Sequence, residues 1–227
     1  MVGRAQDKVA QIRVVKKMIK VLNLYSGLGG NRKLWTDCEV TAVELEPKIA
    51  AVYKRLYPKD KLIIGDAHQY LLDHSDEFDF IWSSPPCQTR GRMAKATRHK
   101  LNRYVDLSVE QEVLYLKHFF KGKWVVENVK SFFDPLIPGK EVGRHTYWSN
   151  FDVGNYVEPA PKDFINLCNV AGKKKLMDWL GINYPENIYY GKNHCPAQIL
   201  RNCVHPNEGL SIFNMIKPNQ LNESEGE

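Results

Sequence analysis

The order of apolar and amphipathic segments is the feature that most limits what this chain can fold into. Short apolar runs of strand length alternate with longer amphipathic stretches along residues 19–153. This spacing predicts an α/β domain with a mostly parallel sheet flanked by helices. The predicted strands are Ile19–Tyr25, Val40–Leu45, Lys61–Ile64, Phe78–Trp82, Trp124–Glu127 and Thr146–Val153, and the predicted helices are Asn31–Thr36, Pro47–Tyr57, Ala67–Asp73 and Leu107–Phe119. Ligands of such sheets bind at the carboxyl ends of the strands, so we expect the chemistry there.

The 227-residue chain divides into five expected segments. They are a basic arm (1–17), a main α/β domain (18–153), an insertion (154–190), a segment that returns to the main domain (191–216) and a flexible acidic tail (217–227). The insertion is rich in Asn, Pro, Lys and Tyr, with one short helix predicted at Lys174–Leu180.

Composition excludes several classes of protein. With 43% hydrophobic and 26% charged residues, the chain is neither disordered, collagenous nor a coiled coil. It has no apolar run of about 18 residues and no secretory signal, so no membrane partner is expected. Five cysteines without a CxxC pair favour a reducing, cytoplasmic setting. The net charge of +6 suits a nucleic-acid partner without requiring one.

A glycine-rich turn follows the first strand, Tyr25-Ser26-Gly27-Leu28-Gly29-Gly30. Glycines let a backbone turn sharply and approach a ligand closely. A dinucleotide fingerprint requires a third glycine where this chain has Arg32, which disfavours NAD. The turn therefore indicates either a nucleoside cofactor without a pyrophosphate or a plain strand–helix connection.

Carboxylates end the next two strands. Glu44 is placed to accept both hydroxyls of a ribose, and Leu45 to cover an adenine face. Asp66, after the third strand, is placed to accept from the adenine amino group. Each carboxylate alone fits a solvated surface charge, but a glycine-rich turn, Glu44 and Asp66 at three consecutive strand ends predict a nucleoside site.

A cysteine and a glutamate follow the fourth and fifth strands. The prolines of Pro85-Pro86-Cys87-Gln88 stiffen the loop that presents the thiol. A cysteine at a strand end can act as a nucleophile, although an isolated cysteine is more often a structural thiol. Glu127 brings a carboxyl group to the neighbouring strand end, which suits covalent attack with proton assistance.

Read in order, these segments resemble the motifs of the cytosine-C5 DNA methyltransferase family. The matching runs are LNLYSGLGG, VELEP, GDA, SSPPCQ, VVENV, GRHTYWSNF and RNCVHP. They cover most of residues 21–153 and resume near 198–216. The resemblance implies a Rossmann-like methyltransferase fold with a small C-terminal subdomain. It also implies transfer of a methyl group from S-adenosylmethionine to carbon 5 of a flipped cytosine in DNA.

The resemblance also assigns roles to residues. Cys87 would add to carbon 6 of cytosine, Glu127 would hydrogen-bond N3 and the exocyclic amine, and Asn128 would belong to the same catalytic motif. The residues expected to bind S-adenosylmethionine are Tyr25, Ser26, Gly27, Gly29, Glu44, Leu45, Asp66, Ala67, Pro85 and Asn202.

Three positions depart from the family pattern. Asn23 stands in place of an acidic residue, and an amide can still order the glycine loop. The family has two arginines on alternate positions before its sixth strand, where this chain has Gly143 and His145 with Arg144 out of phase. Either His145 or Arg144 therefore takes the contact to cytosine. The final motif reads Arg201-Asn202-Cys203-Val204 instead of Gly-Asn-Ser-Val.

The region available for target recognition is small, about forty residues. We therefore expect the protein to read a very short sequence, to read structure, or to take specificity from a partner chain. The segment Arg90–Arg103 is dense in Lys and Arg. We predict phosphate contacts from Arg90, Arg92, Lys95 and Arg98, with Gln88 closing around the extruded nucleotide.

Other readings remain open at this point. An amino-methyltransferase would need an aromatic residue where Cys87 stands. RNA is an alternative substrate, since some relatives with short recognition regions methylate tRNA. A non-catalytic nucleic-acid-binding subunit is a further alternative.

No metal is expected, because the spacing of His194, Cys195, Cys203 and His205 matches no zinc template. The family pattern suggests a prokaryotic or phage origin, as in restriction–modification systems.

Overall fold

A computed structural model describes residues 18–91, 94–95, 106–190 and 194–217. The basic arm and residues 218–227 of the tail lie outside these ranges. Within them, seven strands form one sheet in the order β3-β2-β1-β4-β5-β7-β6. The strands are β1 (Ile19–Leu24), β2 (Cys38–Glu44), β3 (Lys61–Ile64), β4 (Phe80–Ser83), β5 (Lys123–Val129), β6 (Lys140–Val142) and β7 (His145–Ser149). The helices are α1 (Pro47–Leu56), α2 (Ala67–His74), α3 (Ser108–Phe119), α4 (Val170–Leu180), α5 (Gln198–Arg201) and α6 (Pro206–Asn214), with 3-10 turns at Ser75–Glu77 and Phe164–Asn166.

The sheet is mostly parallel, as the alternation of segments predicts. Strands β1 to β5 are parallel, and β7 runs antiparallel to both β5 and β6. The chain moves outward from β1 to β2 and β3, and then returns to place β4 on the other side of β1. This reversal creates a crevice at the carboxyl ends of β1 and β4, where open α/β sheets bind ligands.

The period-2 alternation of the strands explains how the sheet is covered on both faces. Val21 of β1 packs in a cluster with Phe213 of α6, whereas Leu22 and Leu24 pack with residues of α2 and α3. A third apolar cluster joins α1, α4 and α5, with Leu176 of α4 fully buried in it. The helix of the insertion therefore packs in the same apolar cluster as Leu28 of the glycine-rich turn.

Two details of the sequence-based assignment are wrong. Residues 31–34 form turns instead of the predicted helix over Asn31–Thr36. The polar side chains there are used for long-range contacts: Asn31 donates to Asn23 Oδ1 at 2.9 Å, and Arg32 makes two bonds to Asp60 at 2.8 and 2.9 Å. The short edge strand β6 was not predicted, because its three residues carry no apolar run.

Across the described ranges, no helix combines the length and apolarity that crossing a bilayer requires.

Candidate active site

A cavity of about 530 Å³ lies at the carboxyl ends of the central strands. This volume is within the range usual for small-molecule sites. Most of the predicted site residues line it: Tyr25, Ser26, Gly27, Glu44, Leu45, Asp66, Ala67, Pro85, Cys87, Gln88, Glu127, Asn128, Arg144, His145 and Asn202. The fold thus brings the predicted nucleoside residues and the predicted catalytic residues onto the walls of a single cavity.

The glycine-rich turn forms one wall of the cavity. Tyr25 and Gly27 both have positive φ angles, of 53° and 54°, which turn the backbone sharply after β1. A Cβ built at Gly27 would make only ordinary van der Waals contact, with its nearest atom a methyl of Ile199 at 3.9 Å, so the positive φ and not crowding favours glycine there. Gly29 lies elsewhere: a Cβ there would stand 2.5 Å from the Tyr57 ring. Gly29 packs closely against Tyr57 and Tyr53 and is not among the residues that line the cavity, so the structure gives its predicted cofactor contact no support.

Glu44 is held rigidly at the end of β2. Its Oε2 accepts from Gly27 N and its Oε1 from Glu46 N, both at 2.9 Å. Each carboxylate oxygen retains acceptor capacity beyond these bonds, as recognition of two ribose hydroxyls requires. Burial raises the pKa of Glu44, while the backbone donors lower it.

Asp66 has a structural role that the sequence analysis did not foresee. It is the N-cap of α2, and its Oδ1 accepts from the backbone N–H groups of His68 and Gln69 at 2.8 and 3.1 Å. Both bonds use Oδ1, so Oδ2 is not occupied by the cap, and Asp66 is one of the residues that line the cavity.

The chemistry of this wall fits a nucleoside cofactor. The Ser26 Oγ atom is buried and has no hydrogen-bond partner among the residues that the structure describes. Buried polar atoms are normally satisfied, so this hydroxyl is available to a ligand. Leu45 is 69% exposed, and Ala67 and Pro85 are buried, so apolar surface stands beside the acceptors Glu44 and Asp66.

Asn202 lies at the far end of the same wall. Its side chain donates to the Tyr190 hydroxyl at 3.0 Å and accepts from Gln198 Nε2 at 2.8 Å. Tyr190 also lines the cavity. No motif marks this tyrosine, and it reaches the site through the path of the insertion.

Cys87 is presented by a loop that is fixed on both sides. Asn128 Nδ2 donates to the Pro85 carbonyl at 2.8 Å, which ties the loop to β5. Arg90 N donates to the Cys87 carbonyl at 3.0 Å, which closes a turn just after the thiol. The thiol is half-buried, and its pKa is raised first by burial and then by the Glu127 carboxylate.

Glu127 is a buried carboxyl group whose ionisation is shifted into the neutral range. Burial raises the pKa of Glu127 to about 7, against a hydrogen bond from Ser84 and the positive charge of Arg144. Glu127 pairs directly with Tyr147 across β5 and β7, which places it on the same face of the sheet as His145. A carboxyl group with this pKa can both donate and accept a proton near pH 7.

Arg144 and His145 occupy different positions in the site. Arg144 lies in the turn between β6 and β7, donates to the carbonyls of Cys203 and Arg201 at 3.0 and 3.3 Å, and stacks on Phe164. His145 Nε2 lies 3.6 Å from Glu127 Oε1. Burial and the neighbouring Arg144 lower the pKa of His145 to about 3, so its ring is neutral at physiological pH.

The structure corrects one predicted phosphate contact. Arg90 is fully buried, and its guanidinium pairs with Glu110 instead of facing solvent. Gln88 and Lys95 are exposed, and Gln88 lines the cavity. Arg92 and Arg98 lie outside the described residues.

Sequence reasoning also missed Glu112, a residue of α3 with a fully buried carboxylate. It accepts from the Tyr25 hydroxyl at 2.6 Å and from the Ser83 hydroxyl, and it lies 3.5 Å from His68 Nδ1. Its position in an amphipathic helix gave no signal, because an exposed glutamate would have produced the same pattern. Glu112 connects the glycine-rich turn to α3.

Comparison with known proteins finds one matching family model. A model of the C-5 cytosine-specific DNA methylase family matches residues 19–135, more than half of the chain. No curated protein matches the sequence.

The chain is also similar to solved structures, one of which has a TM-score above 0.5. A crystal structure of a mutant DNMT2 from Spodoptera frugiperda is 16% identical, with a TM-score of 0.52, over 86% of this chain and 98% of that chain. A hypothetical protein from Thermus thermophilus is 14% identical over 65% of this chain and 92% of that chain, with a TM-score of 0.42. A SAM-dependent methyltransferase from Agrobacterium tumefaciens is 18% identical over 52% and 41%, with a TM-score of 0.35.

Proposed function

The chain belongs to the C-5 cytosine-specific DNA methylase family, and from this premise we propose that it methylates cytosine in DNA through a covalent bond to Cys87. It is an S-adenosylmethionine-dependent methyltransferase with a Rossmann-like fold. The observation that carries the proposal is that Cys87 and Glu127 share one cavity with the glycine-rich turn and Glu44. A nucleophile, a proton carrier and a nucleoside site are thereby within reach of one another.

The cofactor wall would hold S-adenosylmethionine through residues of four segments. Glu44 would accept the ribose hydroxyls, Asp66 the adenine amino group, and Ser26 would provide a hydroxyl. Asn202 would contact the methionine carboxylate. When bound, the cofactor supplies an electrophilic methyl group.

Cys87 supplies the nucleophile that makes carbon 5 of cytosine reactive. Carbon 5 of cytosine is by itself a poor nucleophile. When the Cys87 thiolate adds to carbon 6, a sulfur–carbon bond forms and the ring double-bond electrons become available at carbon 5. After methylation, a base removes the proton at carbon 5, the electrons reform the ring double bond, and the thiolate leaves.

Glu127 balances the charge during addition. Its carboxyl group donates a proton or hydrogen bond to N3 and accepts from the exocyclic amine, which stabilises the negative charge that addition creates. We assign to His145 the contact with cytosine that an arginine makes in the family pattern, because the His145 ring lies beside Glu127. Arg144 would have a structural role, since its guanidinium donates to two backbone carbonyls.

The location of the thiol supports a mechanism with an extruded base. Cys87 is half-buried at a cavity wall, so a cytosine inside a duplex cannot reach it without leaving the base stack. The small insertion supports recognition of a short sequence or dependence on a partner chain for specificity.

Covalent trapping tests this proposal. The protein is incubated with S-adenosylmethionine and a duplex containing 5-fluorocytosine, whose fluorine cannot be removed as a proton. We expect an adduct that survives denaturation, its loss in Cys87→Ala, and its retention in Cys168→Ala, which changes an exposed cysteine. An adduct with RNA alone would overturn the DNA substrate. Methyl transfer by Cys87→Ala would overturn the covalent mechanism.

A further inference from the structure

We propose that the buried ion pair between Arg90 and Glu110 is a positioning device that aims Cys87 at its target. This inference rests on the proposed function, in which Cys87 is the nucleophile. It concerns two residues that carry none of the chemistry themselves.

The pair is almost completely buried and has a specific geometry. Arg90 Nη1 donates to Glu110 Oε2 at 2.7 Å, and Nη2 donates to Oε1 at 2.9 Å. The side chains of Arg90 and Glu110 are 0% and 6% exposed. Two parallel bonds between a planar guanidinium and a carboxylate fix orientation as well as distance.

Arg90 fixes the turn that carries the thiol. The backbone N–H groups of Arg90 and Gly91 both donate to the Cys87 carbonyl, at 3.0 and 3.3 Å. The Arg90 carbonyl accepts from Phe132 N at 3.0 Å, and the guanidinium lies 5.1 Å from the Phe133 ring. Since Arg90 is held at its backbone and at its side chain, Cys87, three residues earlier, has little freedom to move.

The start of α3 is joined to the same loop. Asp106 N donates to Thr89 Oγ1 at 3.0 Å, and Ser108 N donates to Asp106 Oδ1 at 2.8 Å. Two residues beyond Glu110, Glu112 accepts from Tyr25 of the glycine-rich turn. One helix therefore sets the position of the nucleophile loop and that of the cofactor loop.

Stability alone does not account for such a pair. Replacing a buried ion pair by apolar residues is often neutral or stabilising, because desolvation of two charges offsets their attraction. Here the surroundings are aromatic, with Phe133 and Trp148 beside the guanidinium, and an apolar pair would pack there. What the charged pair adds is a fixed direction for the loop.

The test compares two variants with wild type. Arg90→Lys keeps the charge and loses the bidentate geometry, and Arg90→Met with Glu110→Met removes both charges without leaving one unpaired. We measure the rate of adduct formation with 5-fluorocytosine DNA, the alkylation rate of Cys87 by iodoacetamide, affinity for S-adenosylmethionine and thermal stability. We expect adduct formation to slow by at least about tenfold in both variants, because small misplacements of a reacting group are costly. Cofactor affinity should stay within about twofold, since Ser26, Glu44, Asp66 and Asn202 are unaltered and Glu112 still holds the glycine-rich turn.

Arg55→Lys is the matched control. Arg55 pairs with Glu186 at 2.5 Å on the surface, with side chains 52% and 46% exposed. This substitution should leave the rate of adduct formation unchanged. A folded Arg90→Lys protein with a wild-type adduct rate would overturn the proposal, and so would a folded double variant with that rate. Failure of the proposed function is separate, since it would show as methyl transfer by Cys87→Ala.

Discussion

At the scale of single residues, Glu127 should determine how the reaction depends on pH. Its pKa is about 7, and the pKa of the Cys87 thiol is raised above its ordinary value. Well below pH 7 the Glu127 carboxyl is protonated and cannot accept the proton of the thiol. Above it the two share one proton, which can reside on the carboxyl group while the thiolate attacks. We therefore expect kcat/KM to rise through a pH of about 7 and to fall when the second proton is lost.

The Glu127→Gln variant tests this assignment. An amide cannot carry the proton, so the rise near pH 7 should disappear, and kcat should drop by roughly 10²- to 10³-fold. Rates are measured from pH 5.5 to 9.5. If the variant kept an inflection near pH 7, the titrating group would be another residue.

The same ionisation affects stability with a definite sign. The pKa of Glu127 is higher in the folded protein than its ordinary value of 4.5, so folding favours the protonated form. The associated stabilisation is present below pH 4.5 and is lost as pH rises through about 7. Above that pH the buried carboxylate costs roughly 3 kcal/mol relative to a protonated group.

Urea unfolding of Glu127→Gln should therefore reveal a stabilisation that depends on pH. We expect the variant to gain stability relative to wild type between pH 5 and pH 8, by up to about 3 kcal/mol. Glu39→Gln, which changes an exposed glutamate, should show no such trend. A constant difference between Glu127→Gln and wild type across that range would contradict the raised pKa.

At the scale of elements, α3 holds the glycine-rich turn through the bond from Tyr25 to Glu112. Tyr25→Phe leaves the ring in place and removes one donor from a fully buried carboxylate. Hydrogen bonds to charged groups contribute about 1.5–3 kcal/mol, so unfolding free energy should fall by that order. We expect weaker binding of S-adenosylmethionine, measured by calorimetry, with the adduct-forming thiol still reactive to iodoacetamide. Unchanged stability and affinity would show that the bond does not hold the turn.

Elements also show what the sequence could predict. Strand ends carrying Gly27, Glu44 and Cys87 were predictable, because parallel strands bring their carboxyl ends to one edge. The confirmed α/β fold followed from the same alternation. By contrast, the predicted helix that begins at Asn31 is wrong. Contacts of this segment with Asn23 and Asp60 decide its conformation, and local periodicity does not report such contacts.

Arg90 illustrates a second limit of sequence reasoning. A basic residue in a basic segment is predicted to face solvent, and nothing local distinguishes it from Lys95. What distinguishes it is Glu110, twenty residues later, which meets it only after α3 has packed on the sheet. Whether a charged side chain is buried depends on partners that are distant in the sequence, and a single sequence does not reveal those partners.

At the scale of the whole molecule, positive charge should govern affinity for nucleic acid. The chain carries 32 Lys and Arg against 26 Asp and Glu. Each phosphate contact contributes about 0.9 to the slope of log affinity against log salt. Lys95→Ala should reduce that slope by about 0.9, and the triple change of Arg92, Lys95 and Arg98 to Ala by about 2.7.

Titrations of duplex DNA at several salt concentrations measure these slopes. Arg55→Ala serves as a surface control, and its slope should equal that of wild type. An unchanged slope in the triple variant would remove these three residues from the DNA interface.

The bonds from Arg144 to the carbonyls of Arg201 and Cys203 span 57 and 59 residues of chain. During synthesis, the strand that presents Cys87 emerges long before Asn202, so the thiol exists before the segment that we propose contacts S-adenosylmethionine. A ribosome-bound chain that stops short of α5 should therefore be unable to retain S-adenosylmethionine. Binding of S-adenosylmethionine by a nascent chain would therefore report that synthesis has passed α5.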